Sequence, residues 1–321
     1  MTAREGFARV AGAPVARLEL GARGKLRVLG SDRIRFLNGM LTSDVEKQPP
    51  DTAAPALLLD RKGHVLSDLA LLRLESALLL DTAPGRLRVV VEALERLLVA
   101  DDVELEPLAG WDHFSVEGPG APECVREVGG PVPAPGGLET VSAESGPLVW
   151  LGGGRLSDSG VQLLGPAAEV AALRERLDLP EMSEDACEVL RVERFQPRYG
   201  VDLTDRNFPA EARLEAAISF QKGCYIGQEI VARIQSRGAV KRLLVKLELE
   251  HAASPGAEIT RAGKAIGKVT SAALSPTSGP LALGYVRRDA AAPGTELEVA
   301  GGLARVVEPP LEGPGGGSIR S

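Results

Sequence analysis

The start of the chain combines a short apolar run with a helical apolar face. LRVLG at 26–30 predicts a β-strand that enters a glycine turn. Ser31 is a residue type that caps helices, and Ile34, Leu37 and Leu41 follow it at helical spacing. The segment therefore predicts a strand followed by a helix that Ser31 caps.

Further apolar runs lie at 56–60, 69–74 and 77–81, with short polar segments between them. Such interruptions are typical of successive antiparallel strands. The residues RKGH at 61–64 are expected at the tip of a hairpin.

Three amphipathic helices are predicted after these strands. Residues 84–100 carry leucine and valine at helical spacing. The other two helices are expected around 166–177 and 184–194, and Ser183 is placed to cap the last one.

The rest of the chain predicts a loop, a barrel and a tail. Residues 129–147 are rich in proline, glycine and serine and predict a flexible loop. Short β-type runs from 239 to 308 predict a small β-barrel or sandwich after a first region of 1–238, which could itself hold two subdomains. Residues 309–321 have no periodic apolar positions and are expected to be disordered.

Composition narrows the possible functions. The 321 residues are 44% hydrophobic and 25% charged, with a net charge of −7, which is typical of a soluble globular protein and disfavours direct binding of nucleic acid. No apolar stretch is long enough for a signal peptide or a membrane span. We therefore expect a cytoplasmic protein without a membrane partner.

Cysteine and histidine are scarce. The three cysteines form no CxxC pair, so a disulfide framework is not expected. Each of the three histidines is isolated in sequence from a cysteine, which gives no metal-site spacing, although convergence in three dimensions stays open.

The densest group of polar residues is KGCYIGQEIVARI at 222–234. The ammonium of Lys222 could favour the thiolate of Cys224, and the glycines permit close approach of a ligand. Alternatively, Cys224 is a small buried residue in a glycine turn. The residues alone favour this second interpretation.

This motif resembles the signature of the YgfZ family, K-G-C-Y-x-G-Q-E followed by an arginine. The similarity continues in GKLRVLGSDRIRFLNGMLTSDV at 24–45, in RVERFQPRYGVDL, and in the barrel segment GKVTSAALSPTSGPLALGYVRR. It implies an α+β fold with an aminomethyltransferase-like folate-binding region and a C-terminal β-barrel around a central channel.

The resemblance further implies that tetrahydrofolate, or a derivative of it, binds in that channel. Glu211 stands where related aminomethyltransferases keep an acidic residue for the pterin, because a carboxylate accepts paired N–H donors. Arg233 would bind the folate carboxylates or Glu229, and Tyr225, Gln228 and Glu229 are the other expected folate contacts. Without the resemblance, Glu211 would be a helix-starting surface residue and Arg233 a surface charge.

One position departs from the true aminomethyltransferases. Those enzymes carry two adjacent aspartates after the hairpin, whereas this chain has Ser67 and Asp68. Asp68 is kept as a candidate catalytic residue beside Cys224 and Lys222, and its alternative is a hydrogen bond within the hairpin.

The resulting hypothesis is an accessory protein that binds tetrahydrofolate and supports the assembly or repair of iron–sulfur enzymes. Its expected partners are such enzymes or their assembly proteins, bound transiently, and enzymes that modify tRNA are among the expected beneficiaries. The alternatives are an aminomethyltransferase and a folate-binding adaptor without thiol chemistry. No resident metal is expected.

Overall fold

The structure is a computed structural model that describes residues 3–237 and 240–308. Within them the α-helices are α1 (Ala3–Ala11), α2 (Arg33–Met40), α3 (Leu87–Glu95), α4 (Ala121–Glu127), α5 (Ala167–Leu177), α6 (Glu184–Glu193) and α7 (Gln228–Arg237). Short 3₁₀ turns lie at Pro209–Glu211, Glu215–Ala217 and Arg288–Ala290. The tail predicted at 309–321 lies outside the described residues.

The strands before the barrel are β1 (Ala16–Glu19), β2 (Gly24–Leu29), β3 (Thr52–Leu59), β4 (Val65–Arg73), β5 (Leu78–Thr82), β6 (Glu104–Pro107), β7 (Trp111–Glu117), β8 (Leu138–Ala143), β9 (Gly146–Gly152) and β10 (Val161–Pro166). The later strands are β11 (Arg242–Leu249), β12 (Glu258–Arg261), β13 (Lys264–Ser275), β14 (Gly279–Arg287), β15 (Glu296–Val299) and β16 (Gly302–Val307).

The first sheet has the strand order β3-β4-β5-β2-β6, with antiparallel neighbours. Its outer face is covered by α2 and α3, through a core that contains Leu26, Leu37, Leu71, Leu80 and Leu94. Alternate residues of β4 are buried on this face because side chains of a strand point to opposite sides. The three strands predicted from the apolar runs and the hairpin tip at 61–64 are confirmed.

The second sheet has the order β1-β7-β10-β9-β8. Its inner face meets the inner face of the first sheet through an apolar cluster that includes Leu72, Leu79, Val149, Leu151 and Leu164. The two facing sheets leave room for a cavity where this apolar packing gives way to polar side chains.

Strands β11 to β16 form a closed barrel in the order β11-β14-β13-β12-β15-β16. Alternating valine, leucine and isoleucine side chains fill it, and the predicted barrel is confirmed. A buried polar network joins it to α6: Arg191 donates to Asp202 and to the Ser271 hydroxyl at 2.6 Å each. The boundary predicted at 238/239 stays a prediction, although β11 begins close to it, at Arg242.

Two local predictions at helix ends differ in outcome. Ser183 caps α6 as expected, since its hydroxyl accepts from the Ala186 amide at 3.2 Å. The cap predicted at Ser31 is wrong, because its hydroxyl donates to Asp102 at 2.7 Å while Asp32 occupies the N-cap position of α2. A tertiary partner thus competes successfully with the local cap.

The helix predicted over 84–100 is shorter, and the loop predicted over 129–147 contains a strand. Helix α3 ends early because the Leu97 amide bonds to the carbonyl of Leu94, three residues back, which tightens the last turn. Strand β8 lies at the edge of the second sheet with only Leu138 buried, so it lacks an apolar pattern. The loop prediction is therefore wrong over 138–143 and at 146–147, where β9 begins.

Candidate functional site

A cavity of about 390 Å³ is lined by the inner faces of the two sheets. It is closed further by residues of the segment 194–197, which follows α6, and of the segment 213–217, which leads to the barrel. This volume lies within the usual range for sites that bind small organic molecules. Charged side chains enter the cavity from the first sheet, from the loop between β9 and β10 and from both closing segments.

The strand register places two aspartates on the same face of the first sheet. Asp81 of β5 pairs with Ala70 of β4, and Asp68 is two residues from Ala70 on the same strand. Because alternate residues share a face, both aspartates point toward the second sheet. Both line the cavity.

Asp81 is a buried anion held by two cations. Its carboxylate accepts from Arg23 Nε at 2.6 Å, and Lys25 Nζ lies 2.9 Å from the other oxygen. Burial alone would raise the pKa of Asp81, but Arg23 and Lys25 outweigh it and hold the pKa well below its usual range. Asp81 is therefore an ionised acceptor at neutral pH.

His113 of β7 lies next to Asp81 and is only 2% exposed. Its Nδ1 is 3.8 Å from Asp81 Oδ1, beyond hydrogen-bond distance, and within the described chain neither ring nitrogen has a hydrogen-bond partner. Burial lowers the pKa of His113 to about 4, against the opposing influence of Asp81. The imidazole is therefore neutral at neutral pH.

Asp68 lines the cavity, and its side chain is about one quarter exposed. Its Oδ1 is buried and has no hydrogen-bond partner among the residues described, while Oδ2 lies 3.9 Å from Arg155 Nη2. The predicted candidate thus lies inside the cavity with an unused acceptor atom.

Arg155 is held in place by the fully buried Glu117. The Glu117 carboxylate accepts hydrogen bonds from the backbone amide of Arg155 and, at 2.6 Å each, from the hydroxyls of Ser115 and Ser157. A Cβ at Gly154 would lie 2.3 Å from the same carboxylate, so only glycine fits there. This loop presents the Arg155 side chain, about one third exposed, to the cavity.

Two more arginines line the cavity. Arg194 donates to the Leu156 carbonyl at 2.6 Å and pairs with Asp158 at 2.8 Å. Arg213 has a left-handed backbone, with φ of 56°, and its guanidinium donates to the Leu244 carbonyl of the barrel at 3.0 Å. The cavity is therefore rich in cations although the whole chain has a net charge of −7.

The motif at 222–234 lies elsewhere, against the end of α2. The Lys222 ammonium donates to the carbonyls of Asn38, Leu41 and Ser43 at 2.5, 2.9 and 2.6 Å. Burial lowers the pKa of Lys222 to about 8. All three of its N–H donors are used in this anchor, and its predicted influence on Cys224 stays a prediction.

The other motif residues divide between surface and core. Cys224 is exposed, whereas Tyr225 packs in a core with its ring 5.3 Å from the Lys222 ammonium, and burial raises the pKa of Tyr225 to about 12. Gly227 has a φ of 82° and approaches the Asp60 carbonyl of the hairpin, which explains the glycine. The motif is thus anchored to both α2 and the hairpin.

Helix α7 carries the remaining motif candidates. Gln228 begins the helix and is half-buried, while Glu229 and Arg233 form an exposed pair at 2.6 Å, one helical turn apart. None of these three residues lines the cavity.

Glu211 is buried near the barrel and is paired. Arg242 Nε and Nη2 donate to its two oxygens at 3.0 and 3.4 Å, and Asn207 donates at 3.3 Å. Glu211 is not among the residues that line the cavity. Of the predicted site residues, the structure brings Asp68 alone into it.

Sequence reasoning missed Asp81, His113, Arg155 and Glu117. The sequence did contain one signal for Asp81. The run ALLLD at 77–81 places a charged residue at the end of an apolar strand, and a charge in a fully buried strand is unusual.

Among the described residues, no group of three or more His, Cys, Asp or Glu side chains converges as a metal site. The described helices are all too short or too polar to cross a membrane.

Comparison with known proteins gives two family matches. The GCVT N-terminal domain matches residues 10–133, and the glycine cleavage T-protein C-terminal barrel domain matches residues 242–311. Together they span more than half of the chain.

Curated relatives carry several names. A putative chloroplastic transferase of Arabidopsis thaliana is 28% identical over 300 residues, which cover 90% of this chain and 69% of the relative. An aminomethyltransferase of Streptomyces coelicolor is 28% identical over 87% of this chain and 80% of its own length. The tRNA-modifying protein YgfZ of Colwellia psychrerythraea is 27% identical over 71% of this chain and 69% of its own length.

The crystal structure of the glycine cleavage system aminomethyltransferase T from Bartonella henselae has the same fold. The TM-score is 0.86 at 21% identity, over 97% of this chain and 90% of that one. This likeness confirms the expected fold.

Proposed function

Because the chain belongs to the glycine cleavage T-protein superfamily, we propose that it binds a reduced folate in the cavity between its two sheets. The observation that carries this proposal is a set of buried polar atoms without partners in the described protein: Asp68 Oδ1 and both ring nitrogens of His113. Each such atom costs ~1–3 kcal/mol when left unpaired. A pteridine ring, with N–H donors for the acceptor atoms and with a ring carbonyl and ring nitrogens that accept, supplies suitable partners.

The charge of the cavity supports an anionic ligand. Arg155, Arg194 and Arg213 line it together with Asp68 and Asp81. Guanidinium groups bind carboxylates well, and a folate carries carboxylates on its glutamate. The residues present therefore fit both ends of a folate.

The test is a calorimetric titration with tetrahydrofolate under anoxic conditions. Asp68→Asn keeps the shape of the side chain and removes its charge, and we expect binding to weaken about tenfold. Asp289→Asn, at an exposed position on the barrel, is the matched control. Equal affinities of the wild type and Asp68→Asn would contradict the proposed site.

Glu211 provides a separate arm of the same titration. It remains a proposed pterin contact, which requires the carboxylate to exchange its bonds to Arg242 for bonds to the ligand. If Glu211 contacts the folate, Glu211→Ala weakens binding. An unchanged affinity would mean that the carboxylate only pairs with Arg242 at the junction with the barrel.

We further propose that the folate-bound protein supports iron–sulfur enzymes in the cytoplasm, including enzymes that modify tRNA, and that Cys224 takes part. The exposed thiol, the motif around it and the relative named as a tRNA-modifying protein support this proposal. All three cysteines are free thiols in the structure, and free thiols are the usual state in a reducing compartment.

Rescue of iron–sulfur enzyme activity in cells that lack this protein tests the thiol. Cys224→Ala should fail to restore activity at matched protein levels, whereas Cys124→Ala, at a half-buried position outside the motif, should restore it. Full rescue by Cys224→Ala would refute a role for the thiol and favour the adaptor alternative.

A second candidate function is aminomethyl transfer to tetrahydrofolate from a lipoyl carrier protein. It is favoured by the position of Asp68 in the cavity and by the relatives named aminomethyltransferase. Turnover with such a carrier should then depend on Asp68 and be unaffected by Cys224→Ala. Absence of turnover in the folate-bound wild type would exclude this candidate.

A further inference from the structure

His113 is a buried polar residue whose hydrogen-bond partners the described protein does not supply. It is 2% exposed, and both ring nitrogens lack a partner in the described part of the chain. An apolar side chain could occupy such a position without leaving polar atoms unpaired. Because His113 lines the cavity, the missing partner is expected from a bound ligand.

The surroundings of the ring favour one position for its proton. Asp81 lies on the Nδ1 side, and an ionised carboxylate can only accept hydrogen bonds. Arg23 and Lys25 keep Asp81 ionised. The favoured neutral tautomer therefore has its proton on Nδ1, facing Asp81, and leaves Nε2 with a lone pair.

The unused atoms of the cavity thus include two acceptors, Nε2 of His113 and Oδ1 of Asp68. Acceptors require a ligand that presents N–H groups. A tetrahydropteridine has N–H groups at ring positions N5 and N8, whereas the fully oxidised ring has lone pairs at both positions.

We propose, on the basis of the folate binding proposed above, that His113 makes the cavity selective for the reduced pteridine by accepting a ring N–H at Nε2. An oxidised ring in the same position brings two lone pairs together and leaves both unsatisfied. Sites built to pair a polar group discriminate strongly against an analogue that lacks it. His113 is thereby a specificity-determining residue.

The experiment compares tetrahydrofolate with folic acid on the same protein variants by calorimetry. The readout is the ratio of the two dissociation constants, because a purely structural defect weakens both ligands in parallel. We expect the wild type to bind tetrahydrofolate more tightly by roughly tenfold or more. His113→Phe, which removes both nitrogens, should lower that ratio about tenfold, chiefly through weaker binding of tetrahydrofolate.

Two further variants complete the design. His113→Gln keeps an acceptor near the position of Nε2 and should retain most of the preference, provided that thermal unfolding shows an intact fold. His251→Phe makes the same change at an exposed histidine in the barrel region and should leave the ratio unchanged.

The outcomes separate this inference from the function on which it rests. A ratio that is equal in the wild type and in His113→Phe would refute the role of His113, as would tight binding of both ligands with equal affinity by the wild type. Failure of the wild type to bind either ligand would refute the folate proposal itself.

Discussion

His113 should make the protein sensitive to mild acid. Burial lowers its pKa from 6.5 to about 4, so between these values the unfolded chain binds a proton that the folded chain does not. The contribution of His113 to stability is therefore fully present above pH 6.5 and is lost as the pH falls through about 4. The difference between the two pKa values, 6.5 and about 4, corresponds to a loss of about 3 kcal/mol in the free energy of unfolding at low pH.

The perturbation is His113→Gln, which is neutral at every pH. Urea-induced unfolding of both proteins is measured from pH 7.5 to 4.5 by the fluorescence of Trp111 and Trp150, which lie on the sheet that carries His113. We expect the wild type to lose stability more steeply than the variant, with the difference growing by roughly 2–3 kcal/mol over this range.

Titrating groups that do not contact His113 contribute equally to both curves. His113 also lowers the pKa of Asp81, but Arg23 and Lys25 have the larger effect and hold that pKa well below its usual range. The difference between the two curves therefore chiefly reports His113. His251→Gln, at an exposed histidine, should follow the wild type. Parallel curves for the wild type and His113→Gln would refute the conclusion that the buried ring is neutral.

Three further predictions concern stability. Lys222→Met leaves three buried carbonyls without their donor and should cost about 2 kcal/mol, measured by urea unfolding; a loss below 0.5 kcal/mol would contradict the anchor. Gly154→Ala places a Cβ 2.3 Å from the Glu117 carboxylate and should lower the midpoint of thermal unfolding by several degrees, unlike Gly39→Ala, where no atom lies within 4 Å. Cys224→Ala removes an exposed side chain, so its thermal midpoint should stay within about 1 °C of the wild type.

The sequence predicted those parts of the fold whose apolar period is strong. The β3–β4–β5 strands, α5, α6 and the barrel were all visible because their apolar residues recur at the period of their element. Strand β8 was not, because an edge strand with polar faces has no such period. The cap at Ser31 failed because its partner, Asp102, is distant in the sequence.

The candidate site was predictable only in part, because contacts between residues that are distant in the sequence assemble it. Asp68 was found through a resemblance to aminomethyltransferases, whereas His113 and Arg155 reach the cavity from the second sheet and its loop. Their meeting depends on how two sheets face each other, which local patterns do not encode. Lys222 was noticed for its charge, yet its three contacts lie about 180 residues earlier in the chain.

The loop that presents Arg155 has a consequence for how ligand preference can change in this protein. A side chain at Gly152, Gly154 or Gly160 would meet other atoms at 2.2–2.4 Å, so the backbone there tolerates little variation. The Arg155 side chain, by contrast, is about one third exposed and lines the cavity. Replacing Arg155 is therefore the simplest way, in evolution or in design, to change the charge of the cavity without changing the backbone of the loop.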